Sequence, residues 1–194
     1  MEKFSPTPIK DLYAFFRYAI RGYHGINFVY ALRKNLSYNF QYLEYLSYSI
    51  KKYPLTDVLQ RMSYKNFIIV GMGMIEAILY YKIIENNRHK NNCWEHIREV
   101  KGNEFKVNGE IFRIHHNIYK KSANPIEEEI KLHTMLHKIE DEKLLGNDHG
   151  IYGKLNRLRK LRNKIHMHMP EHNTDHDYNA FASKDYNLII ISLL

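Results

Sequence analysis

The sequence predicts a mainly α-helical bundle with an inserted β-hairpin. Three observations carry that prediction. Apolar residues recur at helical spacing through most of the chain, one run over 66–81 is apolar on nearly all sides, and a single Asn-Gly pair sits between two alternating stretches. At 194 residues and 44% apolar composition, the chain is long enough and apolar enough for one folded domain with its own core. The 29 Lys and Arg against 21 Asp and Glu leave a formal charge of +8, with twelve His in addition. That balance points to an anionic partner, nucleic acid before membrane surface. One cysteine, Cys93, excludes an internal disulfide framework and a Cys-based zinc site and fits a reducing cytoplasm. The opening MEKFSPTP lacks the apolar run of a signal peptide.

Thr7 followed by Pro8 predicts a helix start, with Thr7 as cap and Leu12, Phe15, Phe16 and Ala19 turned inward, ending near Gly22. A second helix is predicted over 27–52, broken before Pro54; these two form an N-terminal helical section over 7–53. In it Tyr38, Tyr42, Tyr45 and Leu46 recur at helical spacing and read as a packed face rather than a base-stacking platform. The third helix, over 63–85, belongs at the centre of a bundle, with Gly71 and Gly73 allowing a neighbour to approach. Its apolar run of sixteen residues contains Glu76 and falls short of the roughly 20 residues that span a bilayer, so no membrane crossing is expected. Glu76 needs a partner if it is buried.

From Asn86 the character changes. Alternation across Asn108-Gly109 predicts a β-hairpin over about 95–120, its turn flanks clearest over 103–119. Asn124-Pro125 with Glu127, Glu128 and Glu129 then reads as the start of another helix, ending at Gly146. Internal repeats and low-complexity segments are absent.

The stretch 151–169 carries the chemistry. It holds Lys154, Arg157, Arg159, Lys160, Arg162 and Lys164 without an acid, and adds His166 and His168. Ile151, Leu155, Leu158, Leu161, Ile165 and Met169 form an apolar stripe. At about 100° per residue Arg162 falls inside that arc, whereas Lys160 and Lys164 point away. A guanidinium facing a core or an interface must be paired or put to work. Two uses stay open on spacing alone: an ion pair with a carboxylate such as Glu76, or transition-state stabilisation beside an imidazole. His166, one turn on, shares the face of Arg162; His168 lies about 120° away on an ideal helix, although Pro170 disturbs the last turn.

The run from Leu158 to His168 resembles the motif helix of the HEPN superfamily (higher eukaryotes and prokaryotes nucleotide-binding). That motif is an Arg, a following polar residue and a His after four to six intervening positions. Arg162, Asn163 and His168 match it with five intervening, while His166, with three, falls outside. The order of elements over about 60–194 fits as well: a central apolar helix with Glu76, a later helix, the motif helix and a closing helix.

The resemblance implies a HEPN-like bundle and metal-independent RNA endonuclease activity without a cofactor. In it His168 or His166 is the base, Arg162 the stabiliser and Asn163 a polar support, with Glu76 an orienting partner. It also implies a homodimer through the motif helix 151–169. Bacterial toxins and anti-phage or abortive-infection effectors of this kind act in the cytoplasm, toxins with an antitoxin protein as partner. Arg157, Arg159, Lys160 and Lys164 are candidates for holding the RNA backbone.

Two other classes compete. A non-catalytic HEPN module would use the same basic helix only to bind RNA or a protein. A metal-binding protein would use His166, His168, His172 and His176 with Asp175 and Asp177, His172 and His176 being four apart. A phosphate-cradling loop is excluded, because Gly71-Met-Gly73 lacks the Lys-Ser/Thr that such a loop needs.

Overall fold

The computed structural model describes residues 4–22, 28–89, 91–127, 130–164 and 179–193. It is mostly helical, with six helices and one two-stranded antiparallel sheet among those residues. The order is α1 (Ile9–Ala19), α2 (Val29–Lys52), α3 (Asp57–Glu85), β1 (Asn91–Val107), β2 (Glu110–Glu127), α4 (Leu132–Asp141), α5 (His149–Asn163) and α6 (Ser183–Leu193). The chain divides into two compact units. Residues 1–86 and 131–194 form the helical unit, and residues 87–130 form the ribbon.

In the helical unit, α3 packs against α2, α4, α5 and α6, and α1 packs on α2. The central place of α3 follows from its sequence, since Ile68, Met72, Tyr81 and Ile83 leave no polar stripe and are fully buried. Its 29 residues are long and apolar enough to cross a membrane by length and composition; half of the apolar window is buried inside the protein. Gly71 is buried as expected, but Gly73 is exposed with open space where a Cβ would stand, so it serves no close approach. The helix begins at Asp57, six residues before the expected start, because Val58 and Leu59 face solvent and hide the periodicity.

The first two helices also correct the expectation. Pro8, not Thr7, occupies the cap position of α1, and Thr7 instead donates its N–H and hydroxyl to the Glu44 carboxylate on α2. The inward line is Leu12, Phe16 and Ile20, four apart, which turns Phe15 and Ala19 outward; Phe15 is 60% exposed. On α2 the inward set is Leu32, Leu36, Leu43, Leu46 and Ile50. The tyrosine stripe therefore is not a packed face: Tyr38, Tyr42 and Tyr45 are all exposed, and the rings of Tyr42 and Tyr45 stack on one another at 6.3 Å.

The ribbon has the expected turn. Asn108 at φ 51° and Gly109 at φ 84° give the two positive φ angles of a type I′ turn, which matches the twist of the strands. Both strands run past the expected limits, to 91 and 127, with register shifts after Asn92, His96 and Lys101. Asn124-Pro125 lies inside β2 and does not open a helix, and α4 starts only at Leu132. A two-stranded ribbon has an open edge on each strand, so the missing N–H of Pro125 costs little there. Alternation sorts the ribbon's faces. Val100, Phe105, Phe112, Ile114 and Ile118 share one face, while Arg113 pairs with Glu104 and His115 with Glu99 on the other. All five apolar side chains are exposed.

Candidate functional site

The acid-free basic stretch becomes α5. Asp148 caps it, accepting the Gly150 N–H at 2.9 Å, and Tyr152, Leu155 and Leu158 bury its inner face. The described helix ends at Asn163, with Lys164 as its C-cap. Residues 165–178 lie outside the described residues. His166 and His168, and the alternative metal set of His172, Asp175, His176 and Asp177, therefore carry no structural description.

The three arginines of α5 meet three different environments. Arg162 stands at the edge of the buried face, and its Nη2 lies 3.0 Å from Glu76 Oε2 on α3. Those side chains are 36% and 28% exposed, so Glu76 fixes the direction of the guanidinium while water still reaches the pair. Of the two uses left open by the sequence, the ion pair is thus present, and it leaves part of the Arg162 side chain accessible.

Arg157 is committed elsewhere. Its Nη2 donates to Asp185 Oδ1 at 2.5 Å, and the Asp185 side chain is 3% exposed at the start of α6. That carboxylate also accepts the Ala182 N–H at 3.4 Å. A buried carboxylate held by a cation of the neighbouring helix is a tether between α5 and α6, and it engages one nitrogen of the Arg157 guanidinium.

Arg159 is half-buried, and its Nε is shielded from water without a hydrogen-bond partner. Its charge acts on His133 of α4, the helix that packs against α5. His133 and His137 are four apart, with ring centroids at 4.3 Å in an edge-to-face arrangement. His133 is held below the ordinary histidine value, first by desolvation and then by the positive neighbours His137 and Arg159. Lys160, Asn163 and Lys164 are exposed.

The Arg162–Glu76 pairing was named in advance because both residues stood out against their apolar surroundings. The Asp185 tether and the histidine pair were not. For the histidines the signal was their spacing of four in His133-Thr-Met-Leu-His137. For Asp185 there was none, since one Asp in a closing helix is ordinary.

An open groove of about 430 Å³ lies between α2, α3 and α6, with Phe40, Leu43, Phe67 and Ile190 in its walls. Its lining includes no residue of α5. Among the described residues no group of three or more His, Cys, Asp or Glu is placed to hold a metal ion. Compared with protein-family models, with curated proteins and with solved structures, the chain gave no match.

Proposed function

We propose that this protein is a metal-independent RNA endonuclease of HEPN type. The reading rests on the resemblance of residues 158–168 to the HEPN motif. One structural observation supports it: at the last turn of the acid-free helix α5, Arg162 is aimed by Glu76 yet stays accessible, immediately ahead of the segment that carries His166 and His168.

The chemistry is a transphosphorylation. His168, or His166 in its place, takes the proton of a ribose 2′-hydroxyl. The 2′-oxygen attacks the adjacent phosphorus, the bond to the 5′-oxygen breaks, and that oxygen takes a proton from water. The products are a 2′,3′-cyclic phosphate and a 5′-hydroxyl end. Arg162 stabilises the extra negative charge on the phosphoryl oxygens, and Asn163 supports it as a polar neighbour. Arg159, Lys160 and Lys164 supply positive charge along the RNA backbone. The partners are RNA, a second copy of the chain through the motif helix 151–169 and, for a toxin or anti-phage effector, an antitoxin protein in the cytoplasm.

The test is cleavage of mixed RNA by the purified full chain in the presence of EDTA, with end-group analysis. The expected result is a cyclic phosphate product whose formation falls at least a hundredfold in Arg162→Ala and His168→Ala, while RNA binding persists. Binding without cleavage by the unaltered protein would overturn the enzyme reading and leave an RNA-binding module. Activity that vanishes with EDTA would overturn the metal-free chemistry.

A further inference from the structure

The outer side of α2 is not that of an ordinary surface helix, where charged residues cover the face turned to water. The exposed residues of α2 include Tyr30, Tyr38, Tyr42 and Tyr45, and none of them is an acid. The single carboxylate of the helix, Glu44, is half-buried and accepts the N–H and the hydroxyl of Thr7. At about 100° per residue, Tyr38, Tyr42 and Tyr45 share with Lys34 and Lys52 an arc of about 80°. At about 1.5 Å per residue the two lysines bracket the rings over a length of about 27 Å. Contacts within the helical unit set the rings in place. Tyr42 and Tyr45 lie 6.3 Å apart and 22° from parallel, and Phe4 meets Tyr45 edge-on at 5.8 Å. Gln41 Nε2 donates to the Thr7 carbonyl oxygen at 2.9 Å and, with the Glu44 bonds, fastens the segment that carries Phe4 to α2. At the other end the Lys34 ammonium lies 5.3 Å from the Tyr13 ring centroid and 6.0 Å from that of Tyr30.

We propose that Tyr38, Tyr42 and Tyr45 of α2, with Lys34 and Lys52 at the two ends of their stripe, form a binding surface for single-stranded nucleic acid. Bases stack on the ring faces and phosphates meet the lysines, a pairing of chemistries that tolerates any base sequence. The absence of an acid from the stripe matches a polyanion. A protein partner fits it less well, because the core of a protein interface is depleted of lysine and α2 exposes no aliphatic side chain larger than Ala31. The surface goes beyond the nuclease reading, since stacking involves no cleavage and uses neither Arg162 nor a histidine. Neither contact needs the 2′-hydroxyl, so RNA and DNA strands share the chemistry.

The experiment measures binding of the full chain to fluorescein-labelled strands by anisotropy over a range of salt concentrations. A short 2′-O-methyl oligouridylate and an oligothymidylate of the same length serve as probes, and neither carries the free 2′-hydroxyl that cleavage would need. Tyr42→Ala/Tyr45→Ala, at two exposed positions, is expected to weaken binding of the single strand at least about tenfold. Tyr42→Phe/Tyr45→Phe keeps the ring faces and should bind as the parent does. The alanine variant should also bind a duplex of the same length as the parent does, because paired bases are not free to stack. Lys52→Gln should lower the salt slope by about 0.7. Tighter binding of one probe assigns the surface to RNA or to DNA, and equal binding assigns it to both. Three results would overturn the proposal: unchanged single-strand affinity in the alanine variant, an equal loss in the phenylalanine variant, or an equal loss for the duplex. Unchanged affinity together with a parent dimer that dissociates in the alanine variant, read by analytical ultracentrifugation, would assign the rings to a contact between copies instead. Because the probes are not cut, a failure of the nuclease reading leaves this result standing, and a failure of stacking leaves the nuclease reading untouched.

Discussion

Replacing Arg157 by alanine separates a structural cation from a nucleic-acid contact on the same helix. Asp185 is 3% exposed and draws one short hydrogen bond from Arg157 and a longer one from the Ala182 N–H. Removing the guanidinium leaves a buried carboxylate with the weaker donor alone. Breaking a fully buried pair in this way costs about 3–5 kcal/mol. Here the Arg157 side chain is 51% exposed, so water replaces part of what is lost, and a charged hydrogen bond at about 1.5–3 kcal/mol is the better scale. For a chain of this length that corresponds to a fall in Tm of roughly 4–10 °C. Thermal denaturation followed by far-UV circular dichroism reads it directly. The double variant Arg157→Ala/Asp185→Ala should lose less than the sum of the two single changes, because the stranded charge is gone. At a temperature where the variant is folded, its RNA affinity should match the parent's, whereas Lys160→Ala, at an exposed position, should lower affinity and reduce the salt slope by about one. An Arg157→Ala protein with unchanged Tm and weakened RNA binding would refute the tether and return Arg157 to the RNA-holding set.

Two further perturbations address the pair at the candidate centre and the ribbon. Glu76→Gln keeps a hydrogen-bonding group beside Arg162 but removes its charge; with both side chains about a third exposed, stability should change by less than about 1 kcal/mol. RNA cleavage should nevertheless fall about ten- to a hundredfold if Glu76 aims the guanidinium, and unchanged cleavage would remove it from the positioning role. Gly102→Ala places a Cβ 2.8 Å from the carbonyl oxygen of Ile114, a backbone atom that cannot swing aside. At about 1–3 kcal/mol of strain the ribbon should lose amide-exchange protection along β1 and β2, while the amides of α3 keep theirs; equal loss in both would contradict the division into two units.

The sequence made the helices and the turn legible where one local rule dominates. Asn108-Gly109 specifies its turn because the turn needs two positive φ angles that few residue pairs accept. The apolar ring around α3 specifies burial because few other places in a fold suit it. Legibility failed where two residue types share a pattern but not a destination. Tyr38, Tyr42 and Tyr45 keep helical spacing, yet their hydroxyls make an exposed place as acceptable as a packed one, and Leu36, Leu43 and Ile50 took the interior. Phe15 lost its place to Ile20 because a line of residues four apart, Leu12, Phe16 and Ile20, already covered the contact with α2. The acidic segment before α4 read as a helix start only because strand pairing with 91–92 cannot be seen from one side of a ribbon.

For the candidate site, local rules identified the helix but could not tell its cations apart. The five Lys and Arg side chains of α5 look alike in the sequence, and only the partners brought in by other helices distinguish them. Asp185 arrives from α6 and Glu76 from α3. Each assignment therefore depends on long-range packing, the part of a fold least visible in sequence. The packing also sets a functional constraint. On a helix that carries five Lys and Arg and no acid, part of the charge is neutralised from elsewhere, and α3 and α6 supply one carboxylate each. With Arg157 and Arg162 so compensated, Arg159 is the half-buried arginine of α5 that has no carboxylate partner among the described residues, and its shielded Nε makes no hydrogen bond.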